Sequence, residues 1–163
     1  MEENGMKLTV VPVDANNRSV FDRLIQSYEC EFSAITEKKP LPDGTFELDT
    51  HLGDRYLGYL GYLGEVPCGF NVIKIHGQDR FEVCEFFIIP VFRRHHLGYE
   101  LMATVCNLHR GKWEVKQISG AYDATAFWRR AIGRYSEGDY VEDSFNDHYW
   151  GAVTRQVFNS SSL

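Results

Sequence analysis

The sequence predicts an α/β domain in which helices flank one mixed central sheet. Short apolar runs rich in β-branched and aromatic residues alternate along the chain with segments of helical periodicity. Two of these runs, Tyr56–Gly64 and Cys68–Ile75, are separated by a three-residue turn, which indicates an antiparallel hairpin. Two strand–helix–strand crossovers follow, and hairpins combined with crossovers are typical of a mixed sheet.

The predicted strands are placed by their composition and by the turn residues between them. Lys7–Val13 is β-branched and short, and Pro12 places it at a sheet edge or ends it early. The predicted strands are Lys7–Val13, Tyr56–Gly64, Cys68–Ile75, Phe81–Ile89 and Trp113–Ile118, with one or two more between Tyr140 and Phe158.

Apolar residues at i, i+3, i+4 and i+7 predict the helices. In the first helix, Phe21, Leu24, Ile25 and Tyr28 share one face, and a break is possible near Cys30. The predicted helices are Arg18–Glu37, His96–His109 and Asp123–Arg134, with a short additional one within Thr45–Asp54. We expect a single domain over residues 1–163, with flexible ends at residues 1–6 and 159–163.

Composition excludes several classes of protein. The formal net charge of −6 disfavours nucleic-acid binding, which needs a basic face. No apolar run approaches the ~18 residues of a membrane span, and the polar start MEENGMKL is not a signal peptide, so we expect a cytoplasmic protein. The four cysteines include no CxxC pair and are expected to be reduced thiols. Adjacent His95 and His96 would be poor joint ligands, so no metal site is predicted.

The stretch Glu85–Met102, EFFIIPVFRRHHLGYELM, joins a strand to a helix through a short basic turn. A helix N-terminus presents unpaired N–H groups and the positive end of its dipole, and both favour phosphate. The basic segment 93–96 and Gly98 lie at this point, so residues 93–99 are a candidate phosphate or pyrophosphate site. The alternative is a basic first turn on a solvated helix, although basic charge there opposes the helix dipole.

The segment IIPVFRRHHLGYELM resembles the acyl-CoA signature of the GNAT N-acetyltransferase superfamily. That signature is a strand ending in a Val-x-Pro-like step, then Arg/Gln-x-x-Gly-x-Gly/Ala, then Leu-Leu. Arg93 matches its first position, Gly98 its last, and Leu101-Met102 its apolar pair. His96 stands where the family usually has glycine.

A second segment, AYDATAFW, resembles the next crossover of that family, which often reads Asn-x-x-Ala-x-x-apolar-Tyr. Ala124 and Phe127 fit this pattern, whereas Ala121 replaces the asparagine and Trp128 replaces the tyrosine. The resemblance covers about Phe81–Phe158 and points to a little-characterised branch of predicted GNAT acetyltransferases.

The resemblance implies a mostly antiparallel sheet in which a splayed strand pair holds acyl-CoA, and transfer of an acetyl group from acetyl-CoA to an amine. It assigns a strand edge to the pantetheine arm, the basic turn to the pyrophosphate, and two aromatic rings to the thioester end. In that order these residues are Phe87, Ile88 and Ile89; Arg93, Arg94, His95, His96, Leu97, Gly98 and Tyr99; and Phe127 and Trp128. The late strands of this fold often pair across a dimer, so a homodimer is possible.

Glu85 is the candidate general base. It lies two residues before Phe87, so alternation places both side chains on one strand face. Apolar neighbours would bury the carboxyl and raise its pKa into a useful range. Glu82 is a weaker candidate, expected on the other face. The alternative is that Glu85 is a solvated carboxylate or part of a structural ion pair.

The usual acid of the family is missing, because Trp128 occupies its position and an indole cannot protonate a thiolate at neutral pH. Tyr122 or Tyr135 could substitute, and Tyr122 is taken as the catalytic candidate. Alternatively, the thiolate leaves towards solvent and the helix dipole.

The acceptor side of the chain is acidic from Asp43 to Asp54. Such a run suits a small cationic amine, although a solvated acidic loop is the plainer interpretation. The sequence therefore predicts an acetyl-CoA-dependent N-acetyltransferase for a small-molecule amine. Two alternatives stay open: a non-catalytic acyl-CoA-binding or regulatory domain of this fold, and an acetyltransferase that modifies proteins.

Overall fold

The computed structural model describes residues 7–160, which form a seven-stranded sheet with helices on both faces. The strand order is β1-β2-β3-β4-β5-β7-β6, and every pair is antiparallel except β4–β5. The elements are β1 (Leu8–Pro12), α1 (Arg18–Thr36), β2 (Tyr56–Leu63), β3 (Val66–Gly77), β4 (Arg80–Ile88), α2 (Leu97–Leu108), β5 (Lys112–Ile118), α3 (Tyr122–Tyr135), β6 (Tyr140–Asp147) and β7 (Gly151–Asn159). The predicted mixed, mostly antiparallel architecture is confirmed.

The two faces of the sheet carry separate cores. Helix α1 covers one face, where Phe21 and Ile25 pack against Phe70 and Phe87. Helices α2 and α3 cover the other face, and their cluster includes the fully buried Trp113. We call these the α1 face and the α2/α3 face. None of the helices within residues 7–160 is both long enough and apolar enough to cross a membrane.

The additional helix expected within Thr45–Asp54 is wrong. Residues 45–54 contain no helix, and an Asx turn begins them, in which the backbone N–H of Thr45 donates to Asp43 Oδ1 over 3.0 Å. The side chain of Gln26 then ties this stretch to α1, because it bonds both the N–H and the C=O of Phe46. Helix α1 itself runs past Cys30 without a break.

The expected flexible end at 159–163 is wrong for its first two residues. Asn159 is the last residue of β7, and Ser160 is fully buried. The Ser160 backbone N–H donates to the C=O of Gly111 over 2.8 Å, and the N–H of Gly111 donates to Ser160 Oγ over 3.0 Å. Residues 1–6 and 161–163, for which flexibility was also expected, lie outside the described residues.

Strands β4 and β5 separate part of the way along their length. Their ladder runs from the pair Arg80–Lys112 to the pair Val83–Val115, and β4 then continues to Ile88 without β5 beside it. Ligands of open α/β sheets bind where neighbouring parallel strands diverge at their carboxyl ends. The separation therefore positions a cleft beside residues 85–88, as the splayed pair of the family resemblance implies.

Strand β4 also contains a β-bulge where it leaves β5. Val72 and Ile73 of β3 pair with Glu85 and Val83, so Cys84 is an extra residue in β4. Val83 faces the α2/α3 core before the bulge and Phe86 packs against that core after it, so the alternation of β4 is reset. Glu85 therefore turns onto the α1 face.

Candidate active site

A cleft of about 2000 Å³ lies between the separated ends of β4 and β5. Its walls include residues 85–88 of β4, the outer part of α1 with the loop that follows it, the first turns of α2 and α3, and the β6–β7 turn. The cleft thus brings together segments that are distant in sequence, and its two ends differ in charge.

The basic end of the cleft is the turn that leads into α2. Arg94 and His96 both have left-handed backbone angles, with φ of 68° and 63°, and His96 is the N-cap of α2. His96 therefore adopts the conformation for which glycine, the usual family residue, is suited. Arg94, His96, Gly98 and Tyr99 line the cleft, and Arg134 lies over the Tyr99 ring, 4.0 Å from its centroid. This turn can offer backbone N–H groups and cationic side chains to a phosphate.

Arg93 points away from this turn, although it also borders the cleft. Its Nε donates to the C=O of Ile88 over 2.8 Å, and its Nη2 lies 2.7 Å from Glu31 Oε1 on α1. The guanidinium also lies over the Phe87 ring, 5.6 Å from the centroid. In this conformation Arg93 ties the end of β4 to α1, a role that the family pattern did not indicate.

Three of the residues assigned to the cofactor do not line the cleft. The N–H of Ile89 donates to the C=O of Cys68 over 2.9 Å, and the Ile89 side chain packs in the core under α1. Leu97 is buried in the α2/α3 core. His95 is also outside the lining, whereas Phe87 and Ile88 are part of it.

Gly98 allows α2 and α3 to approach each other closely. A Cβ at this position would lie 2.9 Å from the Phe127 ring, so even alanine would displace that ring. Phe127 stacks on Phe86 with centroids 5.5 Å apart, and Trp128 meets Phe86 edge to face at 4.9 Å. These three rings form one wall of the cleft, and the 5%-exposed Trp128 is a packing residue within it.

Glu85 lies at the opposite, acidic end of the cleft, where only 7% of its surface is exposed. Thr50 Oγ1 donates to Glu85 Oε1 over 3.0 Å, and the Tyr28 hydroxyl lies near this carboxyl. Burial raises the pKa of Glu85 to about 7, against the lowering effect of Tyr28 and Thr50. A carboxyl with such a pKa can accept a proton near neutral pH.

Two further carboxylates surround Glu85. The carboxylate oxygens of Glu29, Asp49 and Glu85 lie within 4.8 Å of one another, and Glu29 is only 2% exposed. Burial raises the pKa of Glu29, although its contact with Lys38 opposes the shift. Three carboxyl groups outnumber the one ammonium that contacts two of them, Lys38, so this end favours a further cationic group.

Glu82 lies on the same face of β4 as Glu85, so the expectation that the two point to opposite faces is wrong. The bulge at Cys84 is the cause, because the extra residue turns the following side chain back onto the face that Glu82 already occupies. Glu82 is engaged elsewhere: its Oε1 contacts His76 over 2.8 Å, and Lys116 lies 3.3 Å from its Oε2.

The two candidate acids differ in position. Tyr122 is the first residue of α3, is 80% exposed and lines the cleft. Tyr135 is buried at the other end of α3, where its hydroxyl donates to Asn107 Oδ1 over 2.7 Å, and burial raises its pKa to about 12. Tyr135 does not line the cleft, so Tyr122 remains the better-placed of the two.

The contacts of Tyr28 and Thr50 with Glu85 were not predicted from the sequence, which placed Tyr28 only on the apolar face of the first helix. Helical spacing carries a signal for the α1 contribution, because Phe21, Ile25 and Glu29 recur every four residues and all three are buried. A carboxylate on the apolar face of a helix is unusual unless it has partners. Thr50 carries no comparable signal, since it lies in irregular chain.

The comparisons with known proteins agree with this geometry. Residues 21–135 match the Acetyltransferase (GNAT) family, so the chain belongs to the GNAT acetyltransferase family. A search of curated proteins found no match. The predictions of the family, the fold class and an acetyltransferase are confirmed.

Solved structures of low identity share the fold. The ribosomal-protein-S18-alanine N-acetyltransferase of Escherichia coli aligns with a TM-score of 0.64 at 10% identity, covering 95% of each chain. An acetyltransferase from Thermus thermophilus aligns at 0.63 and 16% identity, over 94% of this chain and 97% of its own. The PaiA N-acetyltransferase of Thermoplasma acidophilum, solved with coenzyme A, aligns at 0.61 and 7% identity, over 92% and 98%.

We expect His96→Gly to stabilise the protein. A non-glycine residue in the left-handed region carries a strain of roughly 1–2 kcal/mol, part of which the greater backbone freedom of unfolded glycine offsets. Urea denaturation should therefore show a gain of up to about 1 kcal/mol in the free energy of unfolding. His95→Gly is the matched control and should lose stability, because His95 has no positive φ. A loss in both variants would contradict the strain at His96.

We expect Glu85→Gln to gain stability relative to the wild type as the pH rises. The wild-type carboxyl is held protonated by the fold up to about pH 7, whereas in the unfolded chain it ionises near the ordinary value of 4.5. Between those values the folded state binds the extra proton, so wild-type stability falls with rising pH, by at most about 3 kcal/mol. Glutamine carries no charge and avoids this loss.

Urea denaturation of both proteins at about pH 4.5 and about pH 8 measures the effect. The difference in unfolding free energy should move in favour of Glu85→Gln across this range. Glu82→Gln serves as the control, and it should lose stability because its ion pair with Lys116 is removed. A Glu85→Gln difference that stays constant with pH would contradict the buried, proton-binding carboxyl.

Proposed function

We propose that this protein transfers the acetyl group of acetyl-CoA to the primary amine of a small cationic molecule. The observation that carries the proposal is the polarised cleft: a basic helix N-terminus lies at one end, and a buried carboxyl of pKa about 7 lies among further carboxylates at the other. The first end suits the phosphates of a nucleotide thioester, and the second suits an ammonium group.

The residues of the cleft fit coenzyme A. The first turn of α2, with Arg94, His96 and Tyr99, would hold the pyrophosphate. The edge of β4 at Phe87 and Ile88, which β5 does not cover, would lie along the pantetheine arm, although Arg93 already bonds the C=O of Ile88. When bound, acetyl-CoA supplies a thioester whose carbonyl carbon can be attacked directly by an amine. Backbone N–H groups at the β4 edge are available to polarise such a carbonyl.

Glu85 would accept the proton that the amine must lose before it can attack. Its pKa of about 7 leaves much of it ionised at neutral pH, and Tyr28 and Thr50 fix its orientation. Asp49 lies within the same carboxylate group and is more exposed than Glu85, so it can pass the proton on to water. The acceptor's positive charge would be stabilised before reaction chiefly by Glu85, because Lys38 already pairs with Glu29 and Asp49.

Tyr122 is the candidate proton donor to the departing thiolate. It lines the cleft from the start of α3, six residues before Trp128, which stands where the family usually has its tyrosine. Departure of the thiolate towards solvent is the alternative, with the dipole of α2 to stabilise the charge.

A protein N-terminus is a second candidate acceptor. The cleft is open at the β6–β7 turn, where Tyr149 and Trp150 are 69% and 39% exposed and contact each other edge to face at 4.7 Å. Such rings could support a peptide. The acidic surroundings of Glu85 favour the small cationic acceptor over this one. A cytoplasmic location and a homodimer remain predictions.

We expect Glu85→Gln to change the pH profile of catalysis. In the wild type, kcat/KM should rise with pH to a plateau above about pH 7, where Glu85 is ionised. Without the base, the rate should follow the free amine, rising about tenfold per pH unit towards the amine pKa near 10. The deficit should be about 100-fold or more at and below neutral pH, and should shrink in alkaline solution.

Steady-state kinetics across this pH range provides the measurement, and Glu65→Gln, a change at an exposed residue outside the cleft lining, is the control that keeps the wild-type limb. An unchanged profile in Glu85→Gln would remove this residue from the role of base.

The acceptor is tested by coenzyme A titration in a calorimeter, followed by thiol release from acetyl-CoA with a panel of amines. Thiol should be released faster with polyamines and aminoglycoside-like amines than with monoamines that carry no second charge. It should also be released faster than with a peptide that has a free N-terminus. Faster turnover of the peptide would favour the protein acceptor. Tight coenzyme A binding without thiol release on any amine would favour a non-catalytic domain, and no binding would contradict the proposal altogether.

A further inference from the structure

Lys38 makes three polar contacts at the acidic end of the cleft. Its Nζ lies 3.0 Å from Glu29 Oε2 and 3.0 Å from Asp49 Oδ2, and it donates to the C=O of Glu47 over 2.9 Å. A lysine ammonium has three N–H donors, so these contacts use its full capacity. These three contacts therefore fix the position of the Lys38 ammonium.

The end of α1 directs Lys38 back towards the helix. Glu37 follows the last helical residue with a left-handed φ of 62°, and its N–H donates to the C=O of Ser33 over 2.8 Å. This reversal lets Lys38 reach Glu29, which lies nine residues earlier. Burial lowers the pKa of Lys38, but its contacts with Asp49 and Glu29 outweigh that effect and raise it, so the ammonium stays charged.

The charged and titratable groups around Glu85 come from five parts of the chain. Helix α1 contributes Tyr28 and Glu29, and the loop after it contributes Lys38 and Asp49. The strands beside it contribute charges that act on the adjacent Cys84, namely Lys74 of β3, Glu82 of β4 and Lys116 of β5. Of these, Glu29, Asp49 and Glu85 form the tight carboxylate group, and Lys38 is the cation that pairs with the first two.

We propose that Lys38 is a positioning residue that keeps Glu85 able to ionise near neutral pH by neutralising Glu29 and Asp49. Like charges a few ångströms away disfavour ionisation of a carboxyl, and Lys38 cancels much of their effect. Without it, Glu29 and Asp49 would lose their counter-charge, the negative charge left on them would oppose ionisation of Glu85, and the base would stay protonated to higher pH. The inference rests on the proposed function, because it gives Lys38 its role through Glu85.

The test is a site-resolved titration of the Glu85 carboxyl by NMR on protein carrying ¹³C-labelled glutamate, with Glu85→Gln used to assign the signal. Lys38→Met should raise the Glu85 midpoint by about one pH unit, and Lys38→Arg, which keeps the charge, should restore it. Lys39→Met is the matched control and should leave the midpoint unchanged, since the three contacts belong to its neighbour. Glu29→Gln should lower the midpoint by about one pH unit.

The double variant Lys38→Met/Glu29→Gln should bring the midpoint back towards the wild-type value. A midpoint in Lys38→Met that is unchanged or lowered would overturn the proposal. Should Lys38→Met fail to fold, Glu29→Gln and Asp49→Asn carry the test, since both must lower the midpoint, and a failure of either to do so would equally overturn it.

The kinetic pH profile separates this proposal from the one it rests on. A midpoint that moves in Lys38→Met, with no matching movement in the acid limb of kcat/KM, would support the role of Lys38 and contradict Glu85 as the base. An acid limb of kcat/KM that Glu85→Gln abolishes but Lys38→Met leaves at the wild-type pH would support Glu85 as the base and contradict the role of Lys38.

Discussion

The end of the β4–β5 ladder after Val83 is the constraint on which the rest of the site depends. Past this point the edge of β4 has no neighbouring strand, and a cleft opens beside its last residues. The bulge at Cys84 follows immediately, and it turns Glu85 onto the α1 face, where α1 and its loop supply hydrogen bonds. Loss of pairing and reorientation of one side chain thus occur within three residues of the same strand.

Burial of Glu85 links the stability of the fold to its chemistry. A carboxyl removed from water is hard to ionise, so the fold is less stable at the pH at which the base is most useful. The surrounding contacts reduce this cost without removing it, because Tyr28 and Thr50 favour the ionised form while Glu29 and Asp49 oppose it. A raised pKa that destabilises the folded state is typical of functional carboxyls.

Much of the fold could be predicted from the sequence because its elements have clear periodicity. The bounds of α1 and α2 follow from apolar spacing, and the strands follow from β-branched runs between turns. It was also predictable that the Glu85 and Phe87 side chains share one face of β4, since both residues lie beyond the bulge. The relation of Glu82 to Glu85 was not, because a bulge depends on pairing with β3 and leaves no mark in composition.

The charged contacts of the site were the least predictable part. Arg93 fits the family signature by position, yet its guanidinium contacts Glu31 and the C=O of Ile88. Lys38 lies in the loop after α1, and the left-handed backbone at Glu37 that turns it back to Glu29 was not indicated by any sequence pattern. Long, flexible side chains can contact residues that are distant in sequence, so sequence spacing indicates their partners poorly.

A crystal structure of the protein with coenzyme A tests the central claim most directly, because it shows which groups face each end of the ligand. We predict pyrophosphate oxygens within hydrogen-bonding distance of backbone N–H groups in residues 94–99. We also predict that the thiol lies between the separated ends of β4 and β5 and is directed towards Glu85. Coenzyme A bound outside this cleft, or with its thiol directed away from Glu85, would contradict the account.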